Sequence, residues 1–340
     1  MRFLRAFITA VPISAAIYLA TVYLLIPSPI LAEHWVREAL IVKSDLVRRY
    51  AGQPKIVVAS GSGTLFGFDA ASATQQLGRP VVNFGLHAGL RLATILQTLE
   101  RTLEKGDILI LPLEPHYYLA EARFDGWQTS AAVAWDSSWR SLAMPRKLQF
   151  LAGVTPSMVF KMAWARATKV LRPGALAERL AALDDQAILA RFGSRNRPTE
   201  FRYSIFNADD YGDILGNTGR VSSLNPLISP MEPSHLSSYF QSIMSEFKAK
   251  MDAKGVRIMF ANCPYVYTRD LNHEEISRQE ARFAVLMSPF GEFIDHREAN
   301  LFPTNYFFDS SLHLNTEGRE IRTARLVAAI KAKMASGSLR

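Results

Sequence analysis

The chain has 340 residues, 49% of them hydrophobic, which is ample for one large domain or two small ones with a full core. Lys and Arg outnumber Asp and Glu by 39 to 31, a formal charge of +8, but no Arg/Lys-rich tract exists. That argues against nucleic acid as a partner and leaves a mild preference for an anionic membrane surface or an acidic polymer. One cysteine, Cys263, excludes an internal disulfide framework and any multi-cysteine metal site, and reads as a small buried residue.

From Ala6 to Ala32 no residue is charged, and Arg2 and Arg5 precede the run. Such a stretch can cross roughly 30 Å of hydrocarbon even with Pro12 inside it. Arginines before the span and mixed charge after it (Glu33, Arg37, Glu38) predict a cytoplasmic N-terminus and a body on the far side. A cleaved signal peptide is the rival reading. The run exceeds a usual signal core, and Ile30-Leu31-Ala32 is a poor cleavage site, so residues 1–32 are read as a cytoplasmic stub and an uncleaved anchor. Residues 33–54, with an amphipathic helix over His34–Tyr50 (Trp35, Ala39, Leu40, Leu46), are read as a stalk.

The body spans 55–335. A β-branched run, Ile56 to Val58, stops at Ser60-Gly61-Ser62-Gly63, and a helix over Ala70–Leu77 ends at Gly78. Val81 and Val82 mark a second strand, which exits into Asn83-Phe84-Gly85-Leu86-His87. Leu92, Ile95, Leu96, Leu99 and Leu103 form one helical stripe, and Asp107 to Leu113 is a strand apolar enough to be buried on both faces. Strand, helix, strand, helix, strand predicts an α/β fold with a parallel sheet. The rhythm breaks over about 115–233, read as a largely helical insertion carrying Trp127, Trp135, Trp139 and Trp164. Its helix over Ser157–Leu171 bears Lys161, Arg166 and Lys169, and a further helix is expected through Leu176, Leu180 and Leu183. The sheet resumes with a helix over Ser234–Ala253, a strand over Val256–Ala261, a helix over Glu274–Met287 and a short strand at Glu292–Ile294. The last helix, capped by Asn315 or Thr316, runs to about Met334 with Ile321, Ala324 and Ala328 expected to face inward.

A glycine-flanked serine between a strand and a helix is how an α/β sheet presents a hydroxyl above its carboxyl edge. To act as a nucleophile, Ser62 needs a base and a carboxylate to orient that base. His313 and Asp309, spaced i, i+4 before the last helix, can supply both. The Ser62 N–H and the Gly85 N–H are candidate oxyanion donors, with Asn83 or Asn262 as substitutes. His87, Glu114 and His116 are candidates for the pocket wall. Ser60 is a weaker nucleophile candidate, and His296 beside Asp295 a rival base.

Taken together, Gly61-Ser62-Gly63, Asn83 to Gly89 (NFGLHAG) and Asp309 to Gly318 (DSSLHLNTEG) resemble the SGNH (GDSL-like) hydrolase superfamily. The closer likeness is to its membrane-anchored envelope members, such as the alginate O-acetylation proteins and the D-alanyl transfer protein of teichoic acid synthesis. The resemblance implies a flavodoxin-like three-layer sandwich and ester chemistry without metal or organic cofactor. It implies Ser62 as nucleophile, Gly85 as oxyanion donor, His313 as base and Asp309 as its orienter. The chain departs from the family at three points. The usual Asp-x-x-His has one more residue, no asparagine follows the third strand (Pro112-Leu113-Glu114-Pro115-His116), and Gly61 stands where Gly-Asp-Ser has its aspartate.

The expected protein is a bacterial inner-membrane serine acyltransferase or esterase with its catalytic domain in the periplasm. It would act on O-acyl groups, acetyl above all, of an envelope or secreted polysaccharide, with a polytopic membrane O-acyltransferase as partner. The tryptophan-bearing insertion is where a carbohydrate would lie. A non-catalytic accessory protein of a polysaccharide-modifying or export complex, and a lipid-directed esterase, are the alternatives.

Overall fold

The computed structural model describes residues 2–26, 28, 34–122, 129, 131, 134–135, 139, 142, 144–171, 184–196, 199–221, 233–269 and 271–336. Trp127 and the helix expected through Leu176 to Leu183 lie outside the described residues. The chain forms two compact units, residues 1–37 with 122–188, and residues 38–121 with 189–340.

The second unit is built on a fully parallel sheet. Its strands are β1 (Ile56–Ser60), β2 (Val81–Gly85), β3 (Ile108–Leu111), β4 (Arg257–Phe260) and β6 (Glu292–Phe293), in the spatial order β2-β1-β3-β4-β6. A separate parallel pair joins β5 (Tyr265–Val266) to β7 (Leu301–Phe302). Every residue of β1, β2 and β3 is buried, which explains why these strands read as continuous apolar runs rather than alternating ones. On one face, Ile56, Val58, Ile108 and Ile110 pack against Ala70, Ala73, Leu326 and Ile330, from helices α4 (Ala70–Leu77) and α12 (Thr316–Ala335). Val57 and Leu109 alternate to the other face. There α5 (Leu92–Glu100) packs on β1, and α10 (Ser238–Lys254) packs on α5 and β4. Each such side chain, fully buried, stabilises the fold by roughly 1.5–3 kcal/mol.

Local signals place the ends. Asp69 caps α4 by accepting from the Ser72 N–H at 2.7 Å, and Gly78 ends it in the left-handed conformation. Ser237 and Gly255 play the same parts for α10, and Asn315 caps α12 by accepting from the Gly318 N–H at 3.1 Å. Helix α11 spans His273–Met287. The phase of α12 differs from the sequence expectation: Ala324 and Ala328 are exposed, while Arg322, Thr323, Leu326, Val327 and Ile330 are buried. The cause is Arg322, whose guanidinium donates to the Gly67 carbonyl (2.8 Å) and the Asn262 carbonyl (3.1 Å) and so takes an inward position.

Helix α2 (His34–Arg48) is no free stalk. Ala39, Val42, Leu46 and Val47 are buried, and Lys43 is fully enclosed, with Nζ 3.3 Å from Asn83 Oδ1. Burial pulls the Lys43 ammonium down to about 7 against the opposing pull of Asp213 and Asp209, and burial pushes Asp213 up to about 7.

In the first unit, α1 (Arg2–Leu25) holds a 19-residue segment, Phe7–Leu25, with mean hydropathy 1.9 and only 6% of it buried. It is long and apolar enough to cross a bilayer. Helices α7 (Met144–Gly153) and α8 (Pro156–Leu171) pack on its C-terminal part, around Val22, Ile26, Trp139, Phe150, Val154 and Met162. Trp135 and Trp139 are buried and offer no face to a sugar, whereas Trp164 is exposed.

Candidate active site

β1 delivers the chain to Ser60 at the carboxyl edge of the sheet, between the exits of β2 and β3. Gly61 turns it, and Ser62 opens a short helix, α3 (Ser62–Gly67), that the sequence reading left as a turn. Side chains are excluded at Gly61: a Cβ would stand 2.7 Å from both Ala88 Cα and a Glu114 carboxyl oxygen. Ser62 is 5% exposed, and its hydroxyl has no hydrogen-bond partner among the described residues. As the first residue of α3, its N–H has no acceptor within the helix.

Glu114 fixes this turn. Fully buried at the exit of β3, its carboxyl accepts from Ser60 Oγ (2.5 Å), the Gly61 N–H (3.2 Å) and the Gly63 N–H (2.9 Å). Ser60 is thus committed to Glu114, which leaves Ser62 as the uncommitted hydroxyl of the two. Glu114 itself points into the turn rather than lining a pocket.

Asp309 and His313 come together despite the extra residue between them. His313 Nδ1 lies 2.6 Å from Asp309 Oδ1, a geometry that puts the proton on Nδ1 and leaves Nε2 to accept one. The second carboxyl oxygen of Asp309 accepts from the Tyr203 hydroxyl at 2.5 Å, and that hydroxyl is 3.3 Å from His313 Nδ1. Burial works to raise the Asp309 carboxyl. The hydrogen bonds from His313 and Tyr203, with the charges of His313 and Arg202, outweigh it and hold the group below the usual carboxylate range. Burial and Asp309 push the Tyr203 phenol well up, so it remains a donor.

Phe66 joins the two halves. Its ring centroid is 4.5 Å from that of His313 and 5.0 Å from that of Tyr203. Phe66 is at i+4 from Ser62, on the same helical face, so the imidazole packs on the side chain one turn along α3 from the serine. No Ser62–His313 hydrogen bond is formed among the described residues. In serine enzymes that bond commonly closes only around substrate.

Of the expected oxyanion donors, Gly85, Asn83 and Asn262 are otherwise engaged. The Gly85 N–H donates to Asn83 Oδ1 at 2.8 Å, and Asn83 Nδ2 donates to the Thr64 and Phe68 carbonyls and to Asp213 Oδ1. Asn262 Nδ2 donates to Asp295 Oδ1 at 3.1 Å. Gly85 is required for a steric reason instead, because a Cβ there would fall 2.1 Å from the Leu65 nitrogen, where α3 crosses the end of β2. Gly85→Ala should therefore lower stability by about 3 kcal/mol or more, read as a shift of the urea midpoint.

His116 Nε2 lies 2.9 Å from the Ala88 carbonyl, and His87 Nδ1 accepts from the Gly89 N–H at 3.0 Å, so both organise the loop over Gly61. His296 pairs loosely with Glu280 (3.6 Å) on an exposed side chain, while Asp295 is held by Asn262 and Asn300, so those two do not form a second dyad. Two grooves lie apart from the serine. One, of about 730 Å³, is at the amino edge of the sheet beside Pro54, Arg79 and Asp107. The other, of about 660 Å³, runs along β6 and α11. The sequence reading missed Tyr203, which sits in a stretch without a motif, and its only signal is an aromatic hydroxyl far from any core pattern. No protein-family model matches the chain, and no curated protein matches it.

Proposed function

We propose that the chain is a membrane-anchored serine acyltransferase or esterase of SGNH type. The observation that carries this reading is the Tyr203–Asp309–His313 chain of hydrogen bonds, set one helical turn from an uncommitted serine. The strand order supports it too: numbered within the main sheet alone it is 2-1-3-4-5, the doubly wound, flavodoxin-like order. In that order the exits of β1 and β3 flank the topological switch point, where α/β proteins bind their ligands, and Ser62 and Glu114 are at those exits.

In the proposed reaction His313 Nε2 takes the Ser62 proton as Oγ attacks an acyl carbonyl, and gives it to the departing alcohol oxygen as the donor's ester C–O bond breaks. Asp309 stabilises the resulting imidazolium, and Tyr203 steadies the carboxylate. The Ser62 N–H serves as one oxyanion donor. Release of Gly85 from Asn83 on substrate binding would supply another. The acyl-serine then passes its acyl group to a polysaccharide hydroxyl or to water. A polytopic membrane O-acyltransferase is the proposed donor-side partner. The apolar α1 supports a single-pass anchor in a bacterial inner membrane, and Arg2 and Arg5 support a cytoplasmic N-terminus with the site in the periplasm.

A fluorophosphonate probe applied to the full-length protein should label Ser62, and Ser62→Ala should abolish the label. Labelling that survives in Ser62→Ala would remove the nucleophile. The engaged Gly85 amide favours a second reading, a non-catalytic accessory protein that keeps this fold as a platform. That reading predicts no labelling of the wild-type chain.

A further inference from the structure

Helix α8 carries two apolar faces, and among the described residues only one of them packs on its own unit. Met158, Val159 and Met162 face the core shared with α1, whereas Phe160, Trp164 and Leu171 lie along an outward stripe with Val170 beside it. These side chains are 66–78% exposed, and the Phe160 and Trp164 rings stack 6.4 Å apart. On α7, Met144 and Leu148 are likewise more than half exposed. A soluble surface rarely keeps so many large apolar groups together.

The level of this hairpin along α1 is fixed by two hydrogen bonds. The Tyr18 hydroxyl donates to the Val154 carbonyl at 2.7 Å, at the turn between α7 and α8, and Ser28 Oγ donates to the Met162 carbonyl at 3.2 Å. Tyr18 is seven residues before Leu25, so the turn lies about 10 Å down the axis from the end of the apolar segment. Met162 is level with Ser28, three residues past Leu25, so Phe160, two residues earlier on α8, stands near the end of that segment, where the stripe meets the exposed Tyr23 and Leu24 of α1. Tyr23 meets Trp139 edge-on at 6.0 Å, Lys147 lies over the Trp139 ring, and Lys161 and Arg166 are exposed on α8. Aromatic and basic side chains at one level are the composition of a bilayer interface.

We infer that α7 and α8 form a second membrane element, a helical hairpin whose turn enters the leaflet at the C-terminal end of α1, with Phe160 and Trp164 at the boundary between acyl chains and headgroups and Lys161 and Arg166 at the phosphates. This rests on the proposed reading of α1 as a membrane span. The hairpin makes α7 and α8 part of the anchor and gives α1 a fixed rotation and depth, which a single helix alone lacks.

The test uses full-length protein in vesicles of phosphatidylcholine and phosphatidylglycerol. Ile17→Cys and Phe160→Cys each receive a polarity-sensitive fluorophore, and the buried Cys263, its thiol pushed up to about 12, stays unlabelled. Spin-labelled lipids should quench both sites on the order of twofold, deep labels acting more on position 17 and shallow ones on position 160. Trp164→Glu should release position 160 from quenching, while Trp164→Phe should retain it. Quenching at 17 without quenching at 160 overturns the inference and leaves the anchor intact. Quenching at neither site overturns the anchor as well. Quenching at 160 that ignores Trp164→Glu, or shielding of 160 that needs a second protein, would also overturn it.

Discussion

Asp309→Asn should slow acylation of Ser62, read as the rate of fluorophosphonate labelling, by on the order of 10³–10⁴. The amide is isosteric and can still accept from His313 Nδ1 while donating to Tyr203, so the imidazole need not move. What it lacks is the negative charge that stabilises the imidazolium formed as the serine proton leaves. Tyr203→Phe should cost far less, because the carboxylate remains, but it should change the pH profile. Tyr203 donates to the ionised form of Asp309 and helps hold it below the ordinary carboxylate range. Its loss raises that group, so the profile of stability against pH shifts, and acid unfolding of Tyr203→Phe should set in at higher pH than that of the wild type. A carboxyl depressed in the fold contributes fully above its unfolded value and loses that contribution as pH falls through the folded one. Equal labelling rates for wild type and Asp309→Asn across the pH range would remove Asp309 from the reaction.

The same site shows what the sequence could and could not disclose. The i, i+4 spacing of Asp309 and His313 was enough to pair them, although family likeness alone would place the aspartate one residue nearer. Strands β1, β2 and β3 announced themselves because each is buried on both faces, so β-branched and leucine-rich runs had no competing pattern. Helix α12 is the counter-example. A pattern of alanines and an isoleucine gave its inner face, but Arg322 occupies that face because backbone carbonyls of Gly67 and Asn262 await it. Hydrophobic periodicity cannot register an arginine that is buried by its hydrogen bonds. Lys43 misled in the same way, since an amphipathic helix ending in charged residues reads as a stalk until its lysine is found against Asn83. Gly85 was singled out as an oxyanion donor, but its steric necessity could not be read, because the crossing of α3 over β2 is a tertiary contact with no local trace.

Glu114 offers the largest structural effect. It was singled out as a pocket wall because it stands at the carboxyl end of β3. It turns the other way, and its carboxyl collects three donors from four consecutive residues, Ser60 to Gly63. Among the described residues nothing else in the turn replaces that acceptor, since the Gly61 carbonyl already accepts from the next two amides, Thr64 and Leu65. Glu114→Ala would leave buried donors unpaired and should destabilise the fold by about 3–5 kcal/mol. That is a fall in Tm of roughly 10 °C for a unit of this size. Glu114→Gln keeps one acceptor but turns an NH₂ toward N–H or O–H donors, so it should recover only part of the loss. Both variants should also lose fluorophosphonate labelling at temperatures where they remain folded, because Ser62 is positioned by the turn that Glu114 holds. A Glu114→Ala protein with unchanged Tm and unchanged labelling would show that the serine turn stands without its clamp.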